Sequence, residues 1–293
     1  MEWRGRRQSS NIEDRRLSGS SGGSGRRSGI SVGGGGLGIL AIVVVGWFFG
    51  VDLTPLLNGG ATGSGGGSST SNAPLSQSEQ DSGEFVAVTL AETEDIWGKL
   101  LPAQTGQSYT PAKLVLFRNV TESPCGTASG ATGPFYCPDD QKVYLDTAFF
   151  AMMASELGAK GDFAMAYVVA HEIGHHVQDE LGILTKANSL RARVSEAESN
   201  AISVRTELQA DCLAGIWGRE VEAQYGVIQP GDFEEAVNAA RQIGDDTLQR
   251  NAGQVPMPDS FTHGTSAQRS KWFQIGLKSG KLSDCDTFAG QTP

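Results

Sequence analysis

Three of the chain's four histidines lie between positions 171 and 176. Two of them belong to the pattern His171-Glu172-x-x-His175, set in the apolar run from Val168 to Gln178. On a helix, residues four apart share one face, so His171 and His175 can point their rings at a single metal ion. Glu172 is turned from them by roughly 100°. There it is out of place as a third ligand but within reach of a water on the metal. Such spacing serves hydrolysis. Two neutral imidazoles bind one Zn²⁺ per chain, an open coordination position keeps a water, and a carboxylate takes that water's proton. His176 follows the second ligand directly, points elsewhere on the helix and is read as structural.

A catalytic zinc usually has three protein ligands. The downstream candidate is the stretch from Arg205 to Ala214, which contains Glu207 and Asp211. These two are again four apart, and carboxylates on one helix face repel unless a cation sits beside them. Glu207 is assigned as the third ligand. Asp211, one turn on, is placed to accept the free N–H of a ligand histidine and fix its ring. Ala210, Leu213, Ala214 and Trp217 give this segment a buried character, whereas the alternative acids Glu196 and Glu198 lie in the polar stretch Arg191 to Asn200. The fourth histidine, His263, stands just before a Thr265-x-x-Gln268 capping box. A histidine in such a loop can donate to a developing oxyanion, or it can simply cap or pack. Arg269 is placed to pair with an acid and hold that loop.

These residues need elements to position them. Gly161-Asp162 offers an N-cap for a helix that starts at Phe163 and runs through the histidines. The capping box predicts another helix from Ser266 that carries Trp272 and Phe273. Upstream, Val86 to Lys99 has helical character, Lys113 to Phe117 and Lys142 to Leu145 read as strands, and Thr147 to Leu157 as a helix. The order strand, strand, helix, metal helix suits an α+β domain. Four cysteines, Cys125, Cys137, Cys212 and Cys285, allow three disulfide pairings. The favoured pairs are Cys125–Cys137, which closes a short loop, and Cys212–Cys285.

Composition divides the chain. Twenty of its 39 glycines fall in residues 1–83, so the globular part is expected to begin near Glu84 and run to 293. Residues 1–36 carry seven arginines against three acids, a net of +4 that leaves −14 for the remainder of a chain whose total is −10. An acidic folded part argues against a nucleic-acid partner. The arm 1–36 reads as disordered. Residues 37–57 are apolar enough to span a lipid bilayer as a helix, with Trp47 as an interfacial anchor. Residues 58–83 form a Gly/Ser-rich tether. Arginine on the N-terminal side places the arm in the cytoplasm and the domain outside it, periplasmic or extracellular, on a single signal anchor.

Together, several segments resemble the neutral zinc metallopeptidase family similar to YpfJ. They are Arg4 to Arg16, Pro134 to Pro138, Val143 to Asp146, the His171 to His176 block, Glu207 to Asp211 and His263 to Arg269. The resemblance implies a zincin-like fold and peptidase activity on a protein or peptide substrate, and the Glu-x-x-x-Asp helix also resembles that of gluzincins. It further implies that a strand near Val143–Leu145 pairs with an extended substrate. His171, His175 and Glu207 would then hold zinc, Glu172 and His263 would act on the substrate, and Asp211 would orient a histidine. The reading from another class is a membrane-tethered binding or assembly factor that keeps zinc without turnover. A third is zinc hydrolase chemistry on a non-peptide amide. Oligomeric state and substrate preference have no sequence signal.

Overall fold

The computed structural model describes residues 1–17, 74–129 and 132–289. Strand β1 (Ile12–Asp14) precedes a long helix, α1 (Gln77–Thr105). Five strands follow: β2 (Lys113–Phe117), β3 (Val120–Ser123), β4 (Gly126–Ser129), β5 (Phe135–Cys137) and β6 (Lys142–Asp146). Then come helices α2 (Ala148–Ser155), α3 (Asp162–Glu180), α4 (Ile183–Arg191), α5 (Glu196–Tyr225), α6 (Asp232–Gln242), α7 (Asp245–Asn251) and α8 (Ser266–Ser279). The mixed α+β class agrees with the expected element order. The main sheet runs β1-β2-β6-β5, parallel across its first three strands and antiparallel at β5. Hairpin β3–β4 stands apart, tied to the end of β5 by the Cys125–Cys137 disulfide. One expectation is corrected here. Strand β6, which carries Val143–Leu145, has β2 on one side and β5 on the other, so its backbone is already paired. The sheet edge beside it is β5.

Local chemistry fixes where the helices start. Ser76 and Glu79 form a capping box on α1, Ser195 and Glu198 on α5, and Thr265 and Gln268 on α8. Asp162 does not cap as expected. Helix α3 starts at Asp162 itself, and its carboxylate instead takes the Met1 amine at 2.6 Å. Helices α3, α5 and α8 pack around large buried rings. Phe163 stacks on Trp217 with centroids 5.8 Å apart, and Tyr167 meets Phe273 edge-on at 5.4 Å. Two glycines bring backbones close. A Cβ on Gly174 would lie 3.1 Å from the Ala210 carbonyl, and one on Gly276 would overlap the Cys212 carbonyl. The first contact lets the histidine face of α3 lie directly against α5. The Cys212–Cys285 disulfide then pins the C-terminal turn to α5.

Residues 1–17 are not the disordered arm that their composition predicts. β1 pairs in parallel with β2, Ser9 N–H donates to the Ala87 carbonyl at 2.9 Å, and Arg15 N–H donates to the Leu116 carbonyl at 2.7 Å. The arginines find acids on α1: Arg6 meets Glu92 at 2.9 Å, and Arg7 meets Glu94 at 3.1 Å and Asp95 at 2.9 Å. The Arg16 side chain is 6% exposed, paired with Asp14 at 2.7 Å and donating to the Glu79 carbonyl at 2.5 Å. Composition misleads because charge and glycine content measure solubility, not the complementary acids waiting on α1. The rest of the expected arm (18–36), the apolar stretch 37–57 and the tether as far as 73 lie outside the described residues, and positions 77–83 of the expected tether instead belong to α1. Among the described residues, no helix is long and apolar enough to cross a membrane.

Candidate metal centre

Helix α3 presents His171, Glu172 and His175, and α5 presents Glu207 from across the Gly174–Ala210 contact. His171 Nε2 lies 3.1 Å from one Glu207 oxygen, and His175 Nε2 lies 3.4 Å from the other. The two imidazole rings are 4.8 Å apart and nearly perpendicular, at 88°. Ligand atoms of a tetrahedral zinc with bonds of about 2.0–2.1 Å lie about 3.3 Å apart, so the observed spacing suits that ion. The hydrogen-bond pattern asks for one as well. Each ring's Nδ1 faces an acceptor, Asp211 for His171 and Gln178 for His175, both at hydrogen-bond distance. A neutral ring that donates from Nδ1 turns the lone pair of Nε2 toward the Glu207 carboxylate. Acceptor then faces acceptor, and a cation at Nε2, either a second ring proton or a metal ion, relieves the repulsion.

The electrostatics agree with that need. Burial works against the charged forms here, yet the neighbouring histidines hold Glu207 well below the usual carboxylate range. Burial also opposes the His171 imidazolium, but Asp211 and Glu207 outweigh it and raise His171 to about 10. Glu172 differs. It is 7% exposed, accepts no hydrogen bond among the described residues, and burial pushes its carboxyl above the ordinary value despite the nearby histidines. A carboxylate of raised basicity beside three metal donors is suited to taking a proton and returning it.

Asp211 lies beside His171 Nδ1, where the sequence placed it, together with further partners. Its carboxylate accepts from His171 Nδ1 at 2.9 Å, from the Tyr167 hydroxyl at 2.5 Å, and from Arg269 at 2.9 and 3.0 Å. Arg269 thus pairs with an acid of the centre as expected, and its side chain also donates to the Ile243 carbonyl at the end of α6, at 3.3 Å, rather than to the His263 loop. His263 stands before α8, where its Nδ1 meets Asp245 Oδ1 at 3.1 Å. Asp245 Oδ2 takes the backbone N–H of His263 at 2.6 Å and of Gly264 at 2.9 Å, and Asp245 raises the His263 pKa against the opposing effect of burial. A Cβ on Gly264 would lie 3.2 Å from Val204 and 3.3 Å from Leu208, so this loop packs against the helix that carries Glu207. Glu196 and Glu198 are exposed in the first turn of α5 and take no part. His176 is packed between the Tyr136 hydroxyl at 3.0 Å and the Thr110 carbonyl at 2.6 Å, a structural role.

Sequence reasoning missed Tyr167, Gln178, Gln209 and Asp245. Spacing could have found two of them, since Tyr167 lies four residues before His171 and Gln178 three after His175 on the same helix faces. Gln209 and Asp245 meet the site only through tertiary packing.

His171, His175 and Glu207 bring their ligand atoms close enough to hold one metal ion, with the buried Glu172 next in the chain to the first of them. The chain belongs to the family described as "Putative neutral zinc metallopeptidase", whose model matches residues 1–288. It is 48% identical over 291 residues to the uncharacterized protein YpfJ of Escherichia coli K12, covering 98% of this chain and 99% of that one. It is 38% identical over 223 residues to the uncharacterized protein Rv2575 of Mycobacterium tuberculosis H37Rv, covering 71% and 73% of the two chains. No solved structure matches. Zinc is the cofactor that the family implies, and His171, His175 and Glu207 fit it.

Proposed function

We propose that the protein is a zinc-dependent endopeptidase. The observation that carries this is the convergence of His171 Nε2, His175 Nε2 and the Glu207 carboxylate, with Glu172 beside them. Zinc held by His171, His175 and Glu207 would supply the Lewis acidity that polarises a carbonyl and brings the pKa of water toward neutrality. Glu172 takes the proton from the attacking water and passes it to the leaving amine. His263 donates Nδ1–H to Asp245, which raises its pKa, and it is the imidazolium form that carries an Nε2–H to offer to the oxyanion. Asp211 holds the His171 ring, and the zincin-like character of the domain rests on this arrangement together with the parallel and antiparallel strands next to α3. An extended substrate would add to the β5 edge rather than to β6.

The test is Glu172→Gln assayed on an unstructured protein with zinc content measured in parallel. We expect one zinc per chain to remain and hydrolysis to fall by about 10²–10⁴-fold. Zinc bound by a wild-type chain that cleaves nothing, with cellular function preserved in Glu172→Gln, would favour the binding or assembly role instead.

The two disulfides support a domain outside the cytoplasm, and the apolar stretch 37–57 supports membrane association. The docked arm argues against a single crossing with the arm in the cytoplasm, because β1 and β2 share one sheet. Residues 1–17 and the domain therefore belong on the same side. Ser10 and Glu84 are both exposed. A membrane-impermeant thiol reagent on intact cells should label Ser10→Cys and Glu84→Cys alike, and labelling of Glu84→Cys alone would restore the cytoplasmic arm.

A further inference from the structure

His175 is held by a different chemistry from His171. No carboxylate reaches its Nδ1; the Gln178 side-chain oxygen does, at 2.8 Å. Gln178 is fully buried, and both hydrogens of its amide are used, one on the Thr206 carbonyl at 2.8 Å and one on the Gln209 side-chain oxygen at 2.9 Å. The Gln209 amide in turn donates to the Cys285 carbonyl at 2.9 Å. Backbone carbonyls can only accept. The Thr206 carbonyl therefore fixes which end of Gln178 is the amide nitrogen, and the Cys285 carbonyl does the same for Gln209. With both amides oriented, the oxygen of Gln178 must face His175. His175 must then carry its proton on Nδ1 and keep the Nε2 lone pair for the metal.

The far end of this chain of bonds is itself anchored. Cys285 is disulfide-bonded to Cys212 on α5, and Thr287 and Arg205 exchange two bonds at 2.6 and 2.8 Å. Reversing either amide would set nitrogen against nitrogen–hydrogen or oxygen against oxygen in a buried place, where an unmet polar group is costly.

We propose that Gln178 and Gln209 are positioning residues, a directed amide relay that holds His175 as an Nε2 ligand and ties it to the turn pinned by Cys212–Cys285. This rests on the zinc-site reading above and deepens it. The relay is uncharged, so it fixes the ring without adding negative charge to the centre, whereas Asp211 adds one at His171. It also makes zinc affinity depend on Gln209, a residue that touches no ligand.

The test is the zinc dissociation constant, measured by chelator competition on the full chain, for wild type, Gln178→Leu and Gln209→Leu. Gln178→Leu is expected to bind zinc about 10–100-fold more weakly, as loss of a direct ligand support does. Gln209→Leu should weaken it by a smaller but measurable factor, about 3–10-fold on the same scale. Gln178→Glu keeps an acceptor for Nδ1–H but sets its second oxygen against the Thr206 carbonyl and Gln209 Oε1, so it should not restore the wild-type affinity. Wild-type affinity in both leucine variants would overturn the relay while leaving the zinc site standing, and a wild-type chain that binds no zinc would overturn both. Should the variants fail to fold, imidazole nitrogen NMR of the zinc-loaded wild type decides. The relay requires metal on Nε2 and a proton on Nδ1 of His175, and the opposite assignment overturns it.

Discussion

Arg269 with Asp211 at the metal centre and Arg6 with Glu92 under the arm are both ion pairs taken out of water, yet their surroundings differ. Asp211 is fully buried and both its oxygens have donors, Oδ1 from His171, Tyr167 and Arg269 and Oδ2 from Arg269. Although burial opposes it, Arg269 and His171 keep its carboxyl below the usual range. Glu92 has Arg6 Nε at 2.9 Å, but the two are not aligned as a hydrogen bond and neither Glu92 oxygen has a donor. Burial dominates there and pushes Glu92 up to about 7, with Arg6 pulling down and Asp95 pushing up. A buried charge stays ionised when its hydrogen bonds are complete and becomes protonatable near neutrality when they are not. The Asp211–Arg269 pair is built in the first way, and the arm's clasp in the second.

Removing one partner should separate the two pairs most sharply. Asp211→Ala leaves Arg269 buried without its carboxylate, and we expect a loss of about 3–5 kcal/mol in denaturant unfolding. Arg6→Ala leaves Glu92, which can take up a proton, so the loss should be smaller, about 1–2 kcal/mol. Equal losses would break the comparison.

The pH dependence sharpens it further. For an acid whose folded pKa lies above its unfolded 4.5, the folded state binds the proton more tightly. The cost of Glu92 is absent below 4.5, grows as pH rises and is complete above about 7. Glu92→Gln should therefore unfold with a flatter pH profile than wild type between those values, with the gap opening toward the alkaline side. Superimposable profiles would contradict the raised value. The smallest effect is expected from Tyr167→Phe, which removes one of several donors to Asp211 and should cost about 1 kcal/mol in thermal or denaturant unfolding.

The site was more legible in the sequence than the fold was. His171, Glu172, His175, Glu207 and Asp211 are read from spacing because a helix converts an interval of four into a shared face, whatever the rest of the chain does. The capping box at Thr265 and Gln268 placed α8 for the same local reason. Pairing across the chain is not local. Nothing in the composition of residues 1–17 says that they complete a sheet with β2 or that Arg6 and Arg7 face Glu92, Glu94 and Asp95 on α1. Strand β6 showed the complementary error, since its residues announce a strand but not which neighbours occupy its edges. Asp245 escaped because its work is to accept backbone N–H groups from a loop far along the sequence.

The central claim is that one metal ion is held by His171, His175 and Glu207. X-ray absorption at the zinc edge of the zinc-loaded chain tests it most directly. The account predicts a light-atom shell of nitrogen and oxygen at about 2.0–2.1 Å, with two imidazoles and no sulfur, and loss of one imidazole signature in His175→Ala. A sulfur ligand, or a spectrum unchanged in that variant, would contradict it.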